Sequence, residues 1–252
     1  MRKVVIGIVF TVAVAAGGFS SYRYILSYLH NERQLEESRN IELAINTVPI
    51  QPNLPFVLII GDSISISYTL PVKLKLEGVA NVMRPMENCS STLMIRENLD
   101  HWLGQTKWAV IYFNAGLHDL EHVQQENVAP GTQRMVPVDQ GPRWISPETY
   151  RSNLETIVKR LKKTNATLIF ATTTPVPVGE RNRVPEDVAL YNQAAVAVMR
   201  ENDVLIDDLN STVVESAYRF QIPQDVHFYE QGSGILAEQV AATIKAALPG
   251  QL

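Results

Sequence analysis

Five short apolar runs, each followed by a stretch of helical character, constrain this chain more than any other feature. The runs are Phe56–Ile60, Val79–Met83, Trp108–Phe113, Leu168–Thr172 and Val204–Ile206. Short runs with little polar alternation read as strands buried on both faces. Between and after them lie Ile64–Leu76, with Pro71 marking a candidate break, and Ser91–Leu103, with Leu93, Leu99 and Leu103 apolar. Tyr150–Lys163 sets Leu154, Ile157, Val158 and Leu161 on one helical face, and Pro185–Asn202 and Gly232–Leu248 complete the set. Strands that alternate with helices pair in parallel, and a parallel sheet must be covered on both faces. The expectation is an α/β fold: a parallel sheet of about five strands in a three-layer α/β/α arrangement.

The chain has 252 residues, enough for one large domain with a sizeable core. Its formal net charge is -4 and no basic run interleaves with aromatic residues, which argues against nucleic acid as a partner. Cys89 is the single cysteine, so an intramolecular disulfide and a cysteine-based metal cluster are both excluded. His30, His101 and His122 show no metal-ligand spacing, and neither a metal nor a cofactor is expected.

Arg2 and Lys3 precede an apolar stretch, and Ala13-Val14-Ala15 fits a small-x-small cleavage site. The uncharged run reaches Tyr22, close to the ~20 residues that span a bilayer. Residues 1–22 are therefore expected to be a signal peptide or an N-terminal membrane anchor. Positive charge ahead of the run places the remainder outside the cytoplasmic membrane in either case. Residues 23–54 read as a polar, helix-prone stalk ending in a proline-rich linker, Thr47 to Pro55. The domain is expected over 55–252. Within it, 120–147 breaks the strand–helix rhythm with Pro130, Pro137, Pro142, Pro147 and two glycines. An excursion of that length after the third strand reads as a lid or substrate-binding insertion.

Chemistry concentrates at the carboxyl ends of the strands, where ligands bind in open α/β sheets. Gly61-Asp62-Ser63 follows the first strand and opens a helix. A tripeptide of this kind often serves only as turn and helix cap, but a serine there also sits among backbone N–H groups that stabilise negative charge. A serine nucleophile needs an adjacent base, and Asp225-Val226-His227 supplies an imidazole and a carboxylate just before the last helix.

The order of these pieces resembles the GDSL or SGNH hydrolase family. The matching blocks are Gly61-Asp62-Ser63, then Gly116-Leu117-His118-Asp119 after the third strand, then Asp225-Val226-His227, spanning roughly Pro55 to Leu248. The resemblance implies a flavodoxin-like fold and ester hydrolysis, with Ser63 as nucleophile, His227 as base and Asp225 as its orienting acid. It also implies that the nucleophile's backbone N–H helps to bind the oxyanion.

This chain departs from the family pattern in three places. The family's third block is Gly-x-Asn-Asp, whose Asn donates to the oxyanion; His118 stands there, and an imidazole N–H is also a donor. Asn114, at the end of the same strand, is a rival donor. The second-block glycine has no clear counterpart in Glu87-Asn88-Cys89-Ser90-Ser91-Thr92, where backbone N–H groups serve equally and Asn88 is a substrate-binding candidate. The acid lies two residues before the histidine rather than three, which leaves Asp207, Asp208 and Glu230 as alternatives to Asp225. Cys89 is a weaker candidate nucleophile with no signature around it.

The functional expectation is a serine esterase acting on an O-acyl ester, such as an acetylated glycan or a lipid-like ester, on the exported side of a membrane. A non-catalytic glycan- or lipid-binding relative and an acyltransferase are the alternatives.

Overall fold

In the computed structural model the described residues are 39–43, 48–214 and 217–250. The chain divides into two compact units, Met1–Arg39 and Asn40–Leu252, and all described residues but Arg39 belong to the second. The expected signal or anchor segment and, of the stalk and linker, residues 23–38 and 44–47 lie outside the described residues. Among the described residues no helix is long and apolar enough to cross a membrane.

The elements run β1 (Phe56–Ile60), α1 (Ser63–Lys75), β2 (Asn81–Met83), α2 (Thr92–Leu103), β3 (Trp108–Phe113), α3 (Pro147–Leu161), β4 (Thr167–Ala171), α4 (Asp187–Glu201), β5 (Leu205–Asp207), α5 (Leu209–Val214), α6 (Ala217–Phe220) and α7 (Glu230–Ala247). The five strands form one sheet in the order β2-β1-β3-β4-β5, and every neighbouring pair is parallel. Helices α1, α5 and α7 pack together, and α2, α3 and α4 pack together, so the sheet is sandwiched in the expected three layers. This is the doubly wound arrangement whose strand order reverses between β1 and β3, and such folds bind their ligands there. The register makes that edge compact: Ile60 pairs with Phe113, and the Asn114 N–H donates to Ile60 O at 3.0 Å.

Local chemistry explains the helix starts. Asp62 caps α1 by accepting from Ile64 N at 3.1 Å, Ser91 caps α2, and Ser146 caps α3 with Pro147 in the first turn. Helix α1 continues through Pro71, the candidate break, as a single helix. The ring removes one backbone donor, but Tyr68, Val72 and Leu76 bury fully on either side of it, and tertiary packing outweighs the lost bond. Helices α5 and α6 were not expected; both are short pieces without an apolar stripe long enough to register in the sequence.

Two segments outside the layers are tied down by polar contacts. The linker docks on β2: Gln51 N donates to Asn81 Oδ1 at 2.8 Å, and Asn81 Nδ2 donates back to Gln51 O and Leu54 O. The 120–147 insertion carries its own buried side chains, Val123, Trp144 and Ile145. It is fastened to the loop after β4 and to the head of α4: His122 N donates to Asn182 O, Val138 N to Arg181 O, and Arg143 forks onto both carboxylate oxygens of Asp187 at 2.6 and 2.7 Å.

Candidate active site

Ser63 is the first residue of α1, and its hydroxyl lies 2.7 Å from His227 Nε2. His227 Nδ1 lies 2.5 Å from Asp225 Oδ1, which also accepts the His227 backbone N–H at 3.1 Å. With the proton on Nδ1, His227 donates to Asp225 and accepts from Ser63, so one continuous hydrogen-bonded chain joins the three side chains. They come from residues 164 positions apart in the sequence.

The acid reaches its histidine across only two residues because the chain there folds back tightly. Gln221 bridges to Phe228, Ile222 N donates to His227 O at 2.9 Å, and Asp225 N donates to Ile222 O at 3.1 Å. Gln224 takes the left-handed conformation (φ 60°) that closes this turn. Gln221 Nε2 holds the loop from beneath by donating to Pro175 O at 2.7 Å and Val226 O at 3.1 Å. The alternative acids are placed elsewhere. Asp207 accepts from Tyr112 OH and Gln239 Nε2, Asp208 accepts from Thr172 and Ser211, and Glu230 is exposed in the first turn of α7.

Gly61 is required by close approach. A Cβ at Gly61 falls 1.9 Å from Asn114 Oδ1 and 2.9 Å from Ser65 Cβ, so any side chain collides with the end of β3. Gly116, at φ 149°, is constrained in the same way against Thr173 Oγ1, 2.0 Å from its Cβ position. These two glycines let the ends of β1, β3 and β4 crowd together below the nucleophile. A small pocket lies there, lined by Asp62, Tyr68, Asn114 and Thr174 among others. Asp62 Oδ2, Tyr68 OH, Asn114 Oδ1 and Thr174 Oγ1 are all buried without a protein partner. Two acceptors and two hydroxyls match the hydrogen-bonding capacity of water.

His118 lies in the loop beyond β3 with its Nδ1 3.3 Å from Glu121 Oε1, and its side chain is 21% exposed. Glu121 also pairs with Arg183, which reaches Glu180 Oε1 at 3.2 Å and donates through Nε to Leu117 O at 2.7 Å. Burial by itself lowers the His118 pKa, but the charge and hydrogen bond of Glu121 outweigh it and raise the imidazole above its ordinary value. Burial likewise favours a neutral Glu121, yet His118 and Arg183 hold its carboxyl below the usual range. With Nδ1–H donating to Glu121, Nε2 carries a proton to donate only in the imidazolium form, the form that the raised pKa favours. The next residue, Asp119, is fully buried and accepts from Thr92 N and Thr92 Oγ1 at the head of α2. Desolvation pushes its carboxyl up to about 7, although the Thr92 hydrogen bonds pull the other way.

On the opposite side of Ser63, Asn88 Oδ1 accepts from Ser90 N at 2.9 Å, and Cys89 N donates to Gly61 O at 3.2 Å. Ser90 sits at φ 51°, in the left-handed region that glycine prefers, within the segment where the family carries its second-block glycine. Cys89 is fully buried, and burial pushes its thiol up to about 12, which removes it as a nucleophile at neutral pH. Beside this loop the structure places a residue that sequence reasoning passed over. Arg84 follows β2 directly, is buried, and donates to acceptors on both sides of the nucleophile turn. The available signal was its position, a cation at the ligand-binding end of a buried strand.

No family model and no curated protein matches the sequence. Similarity appears among solved structures. A lipase/acylhydrolase from Enterococcus faecalis is 18% identical with a TM-score of 0.61, covering 79% of this chain and 100% of its own. A GDSL-like lipase from Bacteroides thetaiotaomicron is 15% identical with a TM-score of 0.59, covering 84% and 100%. An acetylxylan esterase from Geobacillus stearothermophilus is 15% identical with a TM-score of 0.58, covering 75% and 94%.

Proposed function

On this GDSL/SGNH hydrolase fold, we propose that the protein is a serine esterase that hydrolyses an O-acyl ester through Ser63, His227 and Asp225. The observation that carries the reading is the Ser63–His227–Asp225 hydrogen-bonded chain, at 2.7 and 2.5 Å, seated where α/β sheets bind ligands.

His227 Nε2 takes the Ser63 hydroxyl proton as Oγ attacks the ester carbonyl carbon. Asp225 keeps Nδ1 protonated and stabilises the imidazolium that results. The negative charge on the carbonyl oxygen meets the Ser63 backbone N–H at the start of α1 and the Nε2–H of the protonated His118, with Asn114 as the rival donor. As the intermediate collapses, His227 returns its proton to the leaving alcohol and leaves an acyl-serine. Water, deprotonated by the same imidazole, then attacks the acyl carbon, and the acid leaves with Ser63 regenerated.

The solved structures of similar fold include acetylxylan esterases and lipases, which supports an acetylated glycan or a lipid-like ester as substrate here. A panel of chromogenic esters of increasing acyl length tests the reading. Hydrolysis favouring short chains points to the glycan ester and long chains to the lipid. Ser63→Ala should lower the rate by several orders of magnitude in a folded protein. Activity retained in that variant refutes the assignment. Specific binding of acylated glycan without turnover refutes the enzyme and supports a binding relative. We place the enzyme outside the cytoplasmic membrane on the strength of Arg2, Lys3 and the apolar run behind them. Cell fractionation with the mass of the mature N-terminus tests that placement, and an intact N-terminus in the cytosolic fraction refutes it.

A further inference from the structure

We propose that Arg84 is a positioning residue for this reaction: its guanidinium sets the nucleophile turn and the 84–90 loop against each other, so that turnover depends on it. The inference rests on the esterase reading of Ser63.

Arg84 is the first residue after β2, the strand beside β1, and is 5% exposed. Its Nε donates to Pro85 O at 3.3 Å. Nη1 donates to Ser65 Oγ and Thr69 Oγ1 at 3.1 Å each, and Nη2 donates to Gly61 O and Glu87 O at 3.3 Å each. A guanidinium has five N–H groups in a fixed planar fork, and these acceptors take one each. They lie on three segments: the turn ahead of Ser63, the first two turns of α1, and the loop that follows β2.

The direction of the bonds is set by the acceptors. Ser65 donates its own hydroxyl proton to Asp62 O at 2.6 Å, and Thr69 donates to Ser65 O at 2.6 Å. Only their lone pairs are left for Arg84. Gly61 O accepts from Cys89 N as well as from Nη2, so the loop and the nucleophile turn are clasped at one carbonyl. On its outer side the loop is fixed by Trp102 Nε1 donating to Glu87 Oε1 at 2.7 Å. The Ser63 backbone N–H, in the turn that Arg84 clasps, is on the oxyanion side of the proposed reaction. Its help depends on being in place before charge develops, and small misplacements of such a donor are costly. A lysine keeps the charge, but its three protons radiate from a single atom and cannot reach three segments.

The test uses the full-length protein, wild type, Arg84→Lys, Arg84→Met and the double variant Ser65→Ala/Thr69→Val. Each is assayed well below its melting temperature for kcat and KM on a short-chain ester. Each is also assayed for the rate of Ser63 labelling by a fluorophosphonate, followed by intact mass. Positioning predicts that kcat and the labelling rate fall ~10- to 100-fold in both Arg84 variants, with KM within about 2-fold. The double variant, which keeps the Nη2 bonds, should lose a smaller factor. Arg84 variants that label and turn over at the wild-type rate while folded overturn the proposal, whatever their melting temperatures. Near-complete rescue by lysine also overturns it, because charge alone then suffices. If the Arg84 variants do not fold, the double variant decides: a folded protein with wild-type labelling refutes positioning, and slowed labelling supports it. A wild-type protein that neither labels nor hydrolyses overturns the esterase reading and this inference with it.

Discussion

Replacing Asp119 by asparagine should remove a specific pH dependence from the stability of this protein. The carboxyl is fully buried at the head of α2 and titrates at about 7 in the folded state, against 3.8 for an ordinary aspartate. Between these values the folded protein keeps a proton that the unfolded chain has released. Folding there takes up a proton, so stability falls as pH rises, by ~1.4 kcal/mol per unit. Over the roughly three-unit window the loss approaches ~4 kcal/mol, and above pH 7, where both states are ionised, it is complete. The Thr92 hydrogen bonds offset part of the desolvation already, and their effect is contained in the raised value. Asp119→Asn keeps an acceptor for Thr92 N and carries no ionisable proton. Denaturant titrations of both proteins from pH 3.5 to 8 give the difference in unfolding free energy, and titrations of groups not coupled to Asp119 cancel in it. The wild type should lose ground to the variant steadily from about pH 4 to about pH 7. A difference that is flat across that window, or that runs the other way, refutes the argument that burial governs this carboxyl.

Three further outcomes follow from the same geometry. Gly61→Ala should cost about 1–3 kcal/mol in stability and depress kcat, because the new methyl must displace Asn114 or the turn that carries Ser63; a wild-type melt and rate would show that the close approach is relieved for free. His118→Ala should lower kcat by ~100- to 1000-fold with little change in KM, and His118→Asn should retain more activity because its amide is also a donor. Two equally active variants that both melt early would instead assign His118 to the Glu121–Arg183 network alone and make Asn114 the better oxyanion donor. Cys89 should resist a thiol reagent in the native protein and react only on unfolding, and Cys89→Ala should keep its esterase activity; rapid native labelling would contradict the burial of the thiol.

The sequence by itself was enough for the strands, for the layers and for two of the three members of the hydrogen-bonded chain. Apolar runs such as Trp108–Phe113 carry their own burial, and a strand–turn–helix passage such as Ile60 to Ile64 is written in neighbouring residues. Ser63 sits at such a junction, whereas His227, in the loop between α6 and α7, is picked out by its place before the last helix and in the block order of the family that the chain resembles. The partner of His227 was not decided there. Asp225, Asp207, Asp208 and Glu230 are chemically equivalent as carboxylates. What separates them is that Tyr112 and Gln239, distant in sequence, occupy Asp207, while a left-handed Gln224 folds Asp225 back onto the imidazole. The same limit hid Arg84, whose acceptors come from three segments, and the Glu121–Arg183 pair, whose members are 62 residues apart. Hydrophobic burial is additive along a chain and leaves a periodic trace, whereas a buried polar contact depends on where two distant backbones cross, and only the tertiary structure decides that.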